Sequence, residues 1–228
     1  MSDAILEVKD LKKAYLKRII LDKVSFSVFR GEIVGIVGAN GCGKSTLLRI
    51  LAGADKPSSG TIEYSGQNPY KNKNLFTRYV GYIPQDNPLF DNLTVIDNLK
   101  LWYCDNTSGI EQVMNQFGLT PYAGYTVRKL SGGMKKRLSI ACSIANNPPV
   151  LILDEPGASL DIVCKSDICR YFLEYREKGG TVIITSHEEN ELSLCDRMLL
   201  IEDTAIREIE PSTGDKLMQL ISKEAFHA

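Results

Sequence analysis

Apolar and polar positions alternate with a period of two over residues 4–8 and 24–28, so both segments read as half-buried strands of a mostly antiparallel sheet. Residues 33–37, Ile33-Val34-Gly35-Ile36-Val37, are apolar without alternation, the pattern of a strand covered on both faces in a parallel sheet. A helical pattern follows at 44–51, then short strands at 61–64 and 79–83. From about 87 to 147 the period becomes helical, with candidates at 94–103, 110–117 and 131–145. Alternation then resumes as strand 150–154, helix 161–178, strand 181–185, helix 188–195 and strand 198–201. Strands and helices alternating at this spacing predict a parallel sheet covered by helices. The fold class is α/β, a single domain over 1–228, with a core of about 1–86 and 148–228 and a helical insertion of about 87–147.

Composition adds exclusions. The 228 residues are 43 % hydrophobic and 24 % charged, with a formal net charge of -1, so bulk charge offers no hold on nucleic acid. The six cysteines form no CxxC pair, and the two histidines, His187 and His227, do not cluster, which argues against zinc and for reduced thiols in the cytoplasm. The first eight residues lack a basic, then apolar, signal pattern, and no apolar run is long enough to cross a bilayer.

The chemistry begins after the 33–37 run. Gly38-Ala39-Asn40-Gly41-Cys42-Gly43-Lys44-Ser45-Thr46 fits G-x-x-x-x-G-K-[ST], between a buried strand and a helix. Glycines let the backbone turn its N–H groups toward anionic oxygens, and the helix that follows offers unpaired amides and a positive dipole end. Lys44 reaches terminal phosphates, and the Ser45 hydroxyl suits Mg²⁺. A second strand, 150–154, delivers Asp154 and then Glu155 to the same sheet edge: Asp154 toward Mg²⁺ and Glu155 as acceptor of a proton from an attacking water. Leu130-Ser131-Gly132-Gly133-Met134 opens a helix whose apolar face is Met134, Leu138, Ala141, Cys142 and Ala145, with Ser131 as N-cap and a second anion site.

With these residues in order, the chain resembles the nucleotide-binding cassette of ABC transporters over nearly its whole length, and is most similar to the ATPases of ABC-2-type exporters. The resemblance implies a RecA-like P-loop core with an N-terminal antiparallel β subdomain and an inserted helical subdomain. In its terms 38–46 is Walker A, 150–155 is Walker B and 130–134 is the signature. Gln85 matches the Q-loop glutamine, a sensor of Mg²⁺ and γ-phosphate, His187 the switch histidine, and Ala158-Ser159-Leu160-Asp161 the D-loop. Tyr15, 23 residues before Gly38, stands where the family places an aromatic on adenine. The implied catalytic set is Lys44, Gln85, Glu155 and His187; the implied metal set is Ser45, Gln85 and Asp154. ATP is bound by Tyr15, by Gly38 and Asn40 to Thr46, and by Ser131, Gly132 and Gly133.

The resemblance further implies two cassettes paired head to tail, a second copy or a related chain, with each ATP between one Walker A and the other signature. It implies an integral membrane permease as a separate subunit, a place on the inner face of the cell membrane, and export. Two positions depart from the pattern: Ser159 where glycine is commonest, and Gly157 where threonine is frequent. A role in iron–sulfur assembly, or nucleotide binding without turnover, are the competing readings; intact Glu155 and His187 oppose the second.

Overall fold

The computed structural model describes residues 4–86, 88–103, 107–158 and 160–222. The chain opens with two 12-residue strands, β1 (Ala4–Tyr15) and β2 (Arg18–Phe29). Then come β3 (Ile33–Val37), α1 (Lys44–Leu51), β4 (Ser59–Tyr64), α2 (Asn74–Tyr79) and β5 (Val80–Ile83). The helical stretch holds α3 (Val95–Tyr103), α4 (Thr107–Gln116) and α5 (Gly132–Ser143). The second half runs β6 (Val150–Asp154), α6 (Ile162–Glu177), β7 (Thr181–Thr185), α7 (Glu189–Leu192), β8 (Arg197–Glu202), β9 (Ala205–Ile209) and α8 (Gly214–Ser222).

The strands form two sheets. A three-stranded antiparallel sheet has the order β2-β1-β4, and a six-stranded sheet has the order β5-β6-β7-β3-β8-β9. The first five strands of the larger sheet are parallel, and β9 closes its edge antiparallel to β8. The continuous apolar runs are the central strands, and every residue of β3, β6 and β7 is buried. Their side chains divide by parity between two cores. Ile33, Val37, Leu151, Leu153, Val182 and Ile184 face α3 to α6, whereas Val34, Ile36, Val150, Ile152 and Ile183 face α1 and the antiparallel sheet. Covered on both faces, these strands need no polar alternation.

Register places the functional ends together. Ile36 pairs with Thr185, and Asp154 pairs with Thr185, so β3, β7 and β6 finish side by side. The segments that follow them, 38–43, 155–160 and 186–188, therefore share one edge of the sheet.

Four expectations need correction. The strands expected at 4–8 and 24–28 run on through the tip of a hairpin; bulges near Val8/Leu11 and Leu11/Lys13 break the two-residue period that would reveal them. The helix expected at 188–195 is only Glu189–Leu192. It stops because Asp196 is bound to the sheet: its N–H donates to Ile33 O at 2.8 Å, and its carboxylate accepts from Ile33 N at 2.8 Å. The strand expected from 79 begins at Val80, because Tyr79 ends the unforeseen α2. Finally, β9 and α8 lie in a tail from which no element is expected. Cys104, Ser159 and His227 lie outside the described residues.

Candidate functional site

The 38–43 loop leaves β3 at Gly38, whose φ is 150° and where a Cβ would stand 2.5 Å from Ile201 O. Only glycine lets the chain turn there against β8. Gly43 is the N-cap of α1, with no side-chain cap and no acidic residue in the first turn. The first amides of α1 therefore have no side-chain acceptor and point at whatever anion enters the loop. Lys44 is buried, and its ammonium donates to Gly38 O at 2.8 Å and Ala39 O at 3.1 Å. Its charge is thus held by the loop that it serves.

Glu155 follows β6 in the left-handed region, φ 47°, an unusual conformation for a residue with a Cβ. It is fixed there because its N–H donates to Thr185 O at 3.0 Å and Thr185 Oγ1 at 3.1 Å. The turn swings the carboxylate over the cleft. Gln85 Nε2 donates to Glu155 Oε2 at 3.0 Å, and His187 Nε2 lies 3.6 Å from Oε1. Asp154, the last residue of β6, is buried at 3 % exposure and accepts from the Thr185 hydroxyl at 2.7 Å.

These groups surround a cleft of about 490 Å³, lined by Arg18, Ile20, Asn40, Gly41, Gly43, Lys44, Ser45, Thr46, Gln85, Glu155 and His187. The size is that of a small-ligand site. All four expected catalytic residues line it, as do most of the phosphate loop and two of the expected metal ligands, Ser45 and Gln85. Gly38 and Cys42 form the back of the loop, the Cys42 sulfur standing 2.8 Å from where a Gly38 Cβ would be.

Two groups of expected residues stand elsewhere. Tyr15 is not part of the cleft lining: it is half-exposed, its hydroxyl donates to Asp55, and the Lys13 ammonium sits 4.5 Å from its ring centroid. Lys13 also donates to Asp55 Oδ1 and Lys56 O, both at 2.7 Å. Burial alone would raise the Asp55 carboxyl, but Lys13 and Tyr15 outweigh it and hold the group down at about 2. Ser131, Gly132 and Gly133 are likewise absent from the lining. Ser131 N-caps α5, accepting from Met134 N at 3.3 Å, and Ser131 and Gly132 are exposed. The N-terminus of α5 is thus not part of the cleft at the N-terminus of α1. Sequence reasoning missed Arg18 and Ile20. Only the cross-strand register, Tyr15 opposite Arg18, brings them to the loop.

Comparison with known proteins identifies the family. Residues 21–158 match the family model described as ABC transporter. The lantibiotic transport ATP-binding protein SrtF of Streptococcus pyogenes is 33 % identical over 225 residues, 96 % of this chain and 97 % of that protein. The Fe(3+) ions import ATP-binding protein FbpC 2 of Haemophilus influenzae is 34 % identical, over 92 % of this chain and 62 % of its own length. The probable multidrug ABC transporter ATP-binding protein YbhF of Escherichia coli is 32 % identical over 89 % of this chain, which spans only 37 % of that protein. Among solved structures, a dimeric ATP-binding cassette in a post-hydrolysis state bound to ADP and Pi superposes with a TM-score of 0.81 at 25 % identity, covering 92 % of this chain and all of the other. By fold, loop geometry and relatives alike, the chain belongs to the ABC transporter family and is one of its ATP-binding cassettes.

Proposed function

We propose that the chain is the ATP-hydrolysing subunit of a membrane transporter and works as a pair of cassettes. The observation that carries this reading is the Glu155 carboxylate held between Gln85 and His187 above the phosphate loop. Water attacks the γ-phosphorus, Glu155 accepts its proton, and the bond to the β-phosphate oxygen breaks, leaving ADP and phosphate. Lys44 and the loop amides neutralise charge on the phosphoryl oxygens. His187 holds the carboxylate and the departing phosphate. The Ser45 hydroxyl and Gln85 amide at the cleft, with the buried Asp154 carboxylate at the end of β6, would hold Mg²⁺, which would supply charge neutralisation for the phosphate oxygens.

The signature stands apart from its own chain's cleft, which supports a composite site completed by Ser131 to Gly133 of a second copy or related cassette. A related cassette seen as a dimer supports the same pairing. For the permease, a groove of about 440 Å³ lined by Phe76, Tyr82, Pro84, Leu89 and Trp102 lies beside the Gln85 loop, with exposed Phe90 and Leu101 near it. No helix among the described residues is long and apolar enough to cross a membrane. In this reading a separate subunit supplies the membrane path, and the cassette sits at its cytoplasmic face. The relative aligned along nearly its full length, a lantibiotic transport protein, favours export over the import of FbpC 2.

The test is Glu155→Gln. The variant binds ATP and accumulates as a dimer, while turnover falls about 10²- to 10⁴-fold. Hydrolysis at the native rate would remove Glu155 as the base.

A further inference from the structure

Glu191, in α7, is 1 % exposed, yet the hydrolytic reading gives it no role. Its Oε2 accepts from the Ser186 hydroxyl at 2.5 Å, and Ser186 Oγ accepts from Glu188 N at 2.9 Å. This pair of bonds grips the chain on either side of His187. The other oxygen, Oε1, has no hydrogen-bond partner among the described residues. It is pressed on Gly157, where a Cβ would overlap Oε1 and stand 3.0 Å from Cδ. Gly157 does not have a positive φ. Its backbone would therefore tolerate any side chain, and the Glu191 carboxylate is what excludes one.

Gly157 belongs to the turn that carries Glu155. Ala158 N donates to Glu155 O at 3.3 Å, and Leu160 N to Gly157 O at 3.2 Å. One buried carboxylate therefore touches the loop of the switch histidine and the turn of the general base together. Charged neighbours enclose it: Lys136 of α5, Lys165 of α6 and Glu188. Lys136 is itself 4 % exposed and donates to Gln85 O at 3.5 Å, which ties the signature helix into the same cluster. The departure at position 157 thus has a structural counterpart at 191.

We propose that Glu191 is a positioning residue for ATP hydrolysis, a wedge between Ser186 and Gly157 that sets His187 and Glu155 relative to each other. It reaches the reaction only through those two residues, and so rests on their roles given above. Displacing either by a fraction of an ångström costs rate without costing nucleotide affinity, because the phosphate loop is untouched.

Steady-state ATPase kinetics of the full chain test this. Glu191→Ala lowers kcat about tenfold to hundredfold and leaves the KM for ATP within about twofold. Glu191→Gln keeps the shape and the Ser186 bond, and restores kcat to within about threefold. Gly157→Ala pushes the carboxylate aside and lowers kcat; adding Glu191→Ala to it costs less than the product of the two single losses, since both break one contact. If Glu191→Ala fails to fold, Gly157→Ala and Glu191→Gln carry the test. Native kcat in Gly157→Ala or Glu191→Ala, a rise in KM that matches the fall in kcat, or single losses that multiply would overturn the proposal. His187→Ala separates the two levels. A native rate there overturns the reading of the site and this proposal with it. An impaired His187→Ala beside native Glu191→Ala and Gly157→Ala overturns the wedge alone.

Discussion

Gln85 and Glu155 are joined by a hydrogen bond of 3.0 Å, from the Gln85 amide nitrogen to Glu155 Oε2, across 70 residues of sequence. Gln85 follows β5 and Glu155 follows β6, adjacent parallel strands, so the bond bridges the cleft from the edge of the sheet inward. The Gln85 carbonyl also accepts from Lys136 of the signature helix. Gln85 therefore links α5 to the Glu155 carboxylate. Gln85→Ala frees one carboxylate oxygen of Glu155. The expected result is a loss in kcat of about tenfold or more with a smaller change in KM, measured by phosphate release. An unchanged kcat would show that the bond has no part in orienting the base.

Ser131 is exposed at the start of α5 and is not among the residues that line its own chain's cleft. Ser131→Arg adds bulk and charge at that helix end without touching the 38–46 loop. ATP binding to the single chain stays within about twofold, while ATP-driven dimerisation of a Glu155→Gln background is lost, read by light scattering. Loss of binding by the single chain as well would oppose a composite site.

Tyr15 carries a competition between two uses of one side chain. Its hydroxyl is spent on Asp55, and that bond raises its own ionisation above the usual phenol range. If the ring serves adenine, removing the hydroxyl leaves affinity unchanged or tighter, whereas removing the ring weakens ATP binding about fivefold, the worth of one aromatic stack of about 1 kcal/mol. Tyr15→Phe and Tyr15→Ala, compared by nucleotide titration, decide it. Equal weakening in both would mean that the Asp55 bond, not the ring, matters.

The elements most readable in the sequence are those whose residues are buried on both faces. The spans 33–37, 150–154 and 181–185 are strands to the residue, because a continuous apolar run has no other place in this fold. The 38–46 loop, Glu155 and His187 are readable for the same reason: each follows such a run. What the sequence hides depends on partners. The β8–β9 hairpin turns at Asp203 and Thr204, with φ of 45° and 68°, where an Asn-Gly pair would have signalled it. A Thr in that conformation is held by context, and Thr204 O accepts from Asp22 N at 2.8 Å. Arg18 and Ile20 reach the cleft only through strand register, and the fit of Gly157 to Glu191 exists only once α7 is packed.

Glu191 also makes stability depend on pH. Burial, the dominant cause, pushes its carboxyl up to about 7 from an ordinary value of 4.5; Glu188 adds to this, while the Ser186 bond, Lys165 and Lys136 oppose it. The folded chain thus binds this proton more tightly than the unfolded chain does. The stability it confers is complete below about 4.5 and is lost as pH rises through about 7. Glu191→Gln has no such proton to lose. Subtracting its unfolding free energy from that of the native chain cancels the other titrations, and the difference should shift against the native chain by up to about 3 kcal/mol between pH 5 and 7.5, flattening above. Urea unfolding at half-unit steps measures it. A difference that is flat across the whole range would mean that the carboxylate is ionised in the fold at pH 5 and that Lys136 and Lys165 dominate its surroundings.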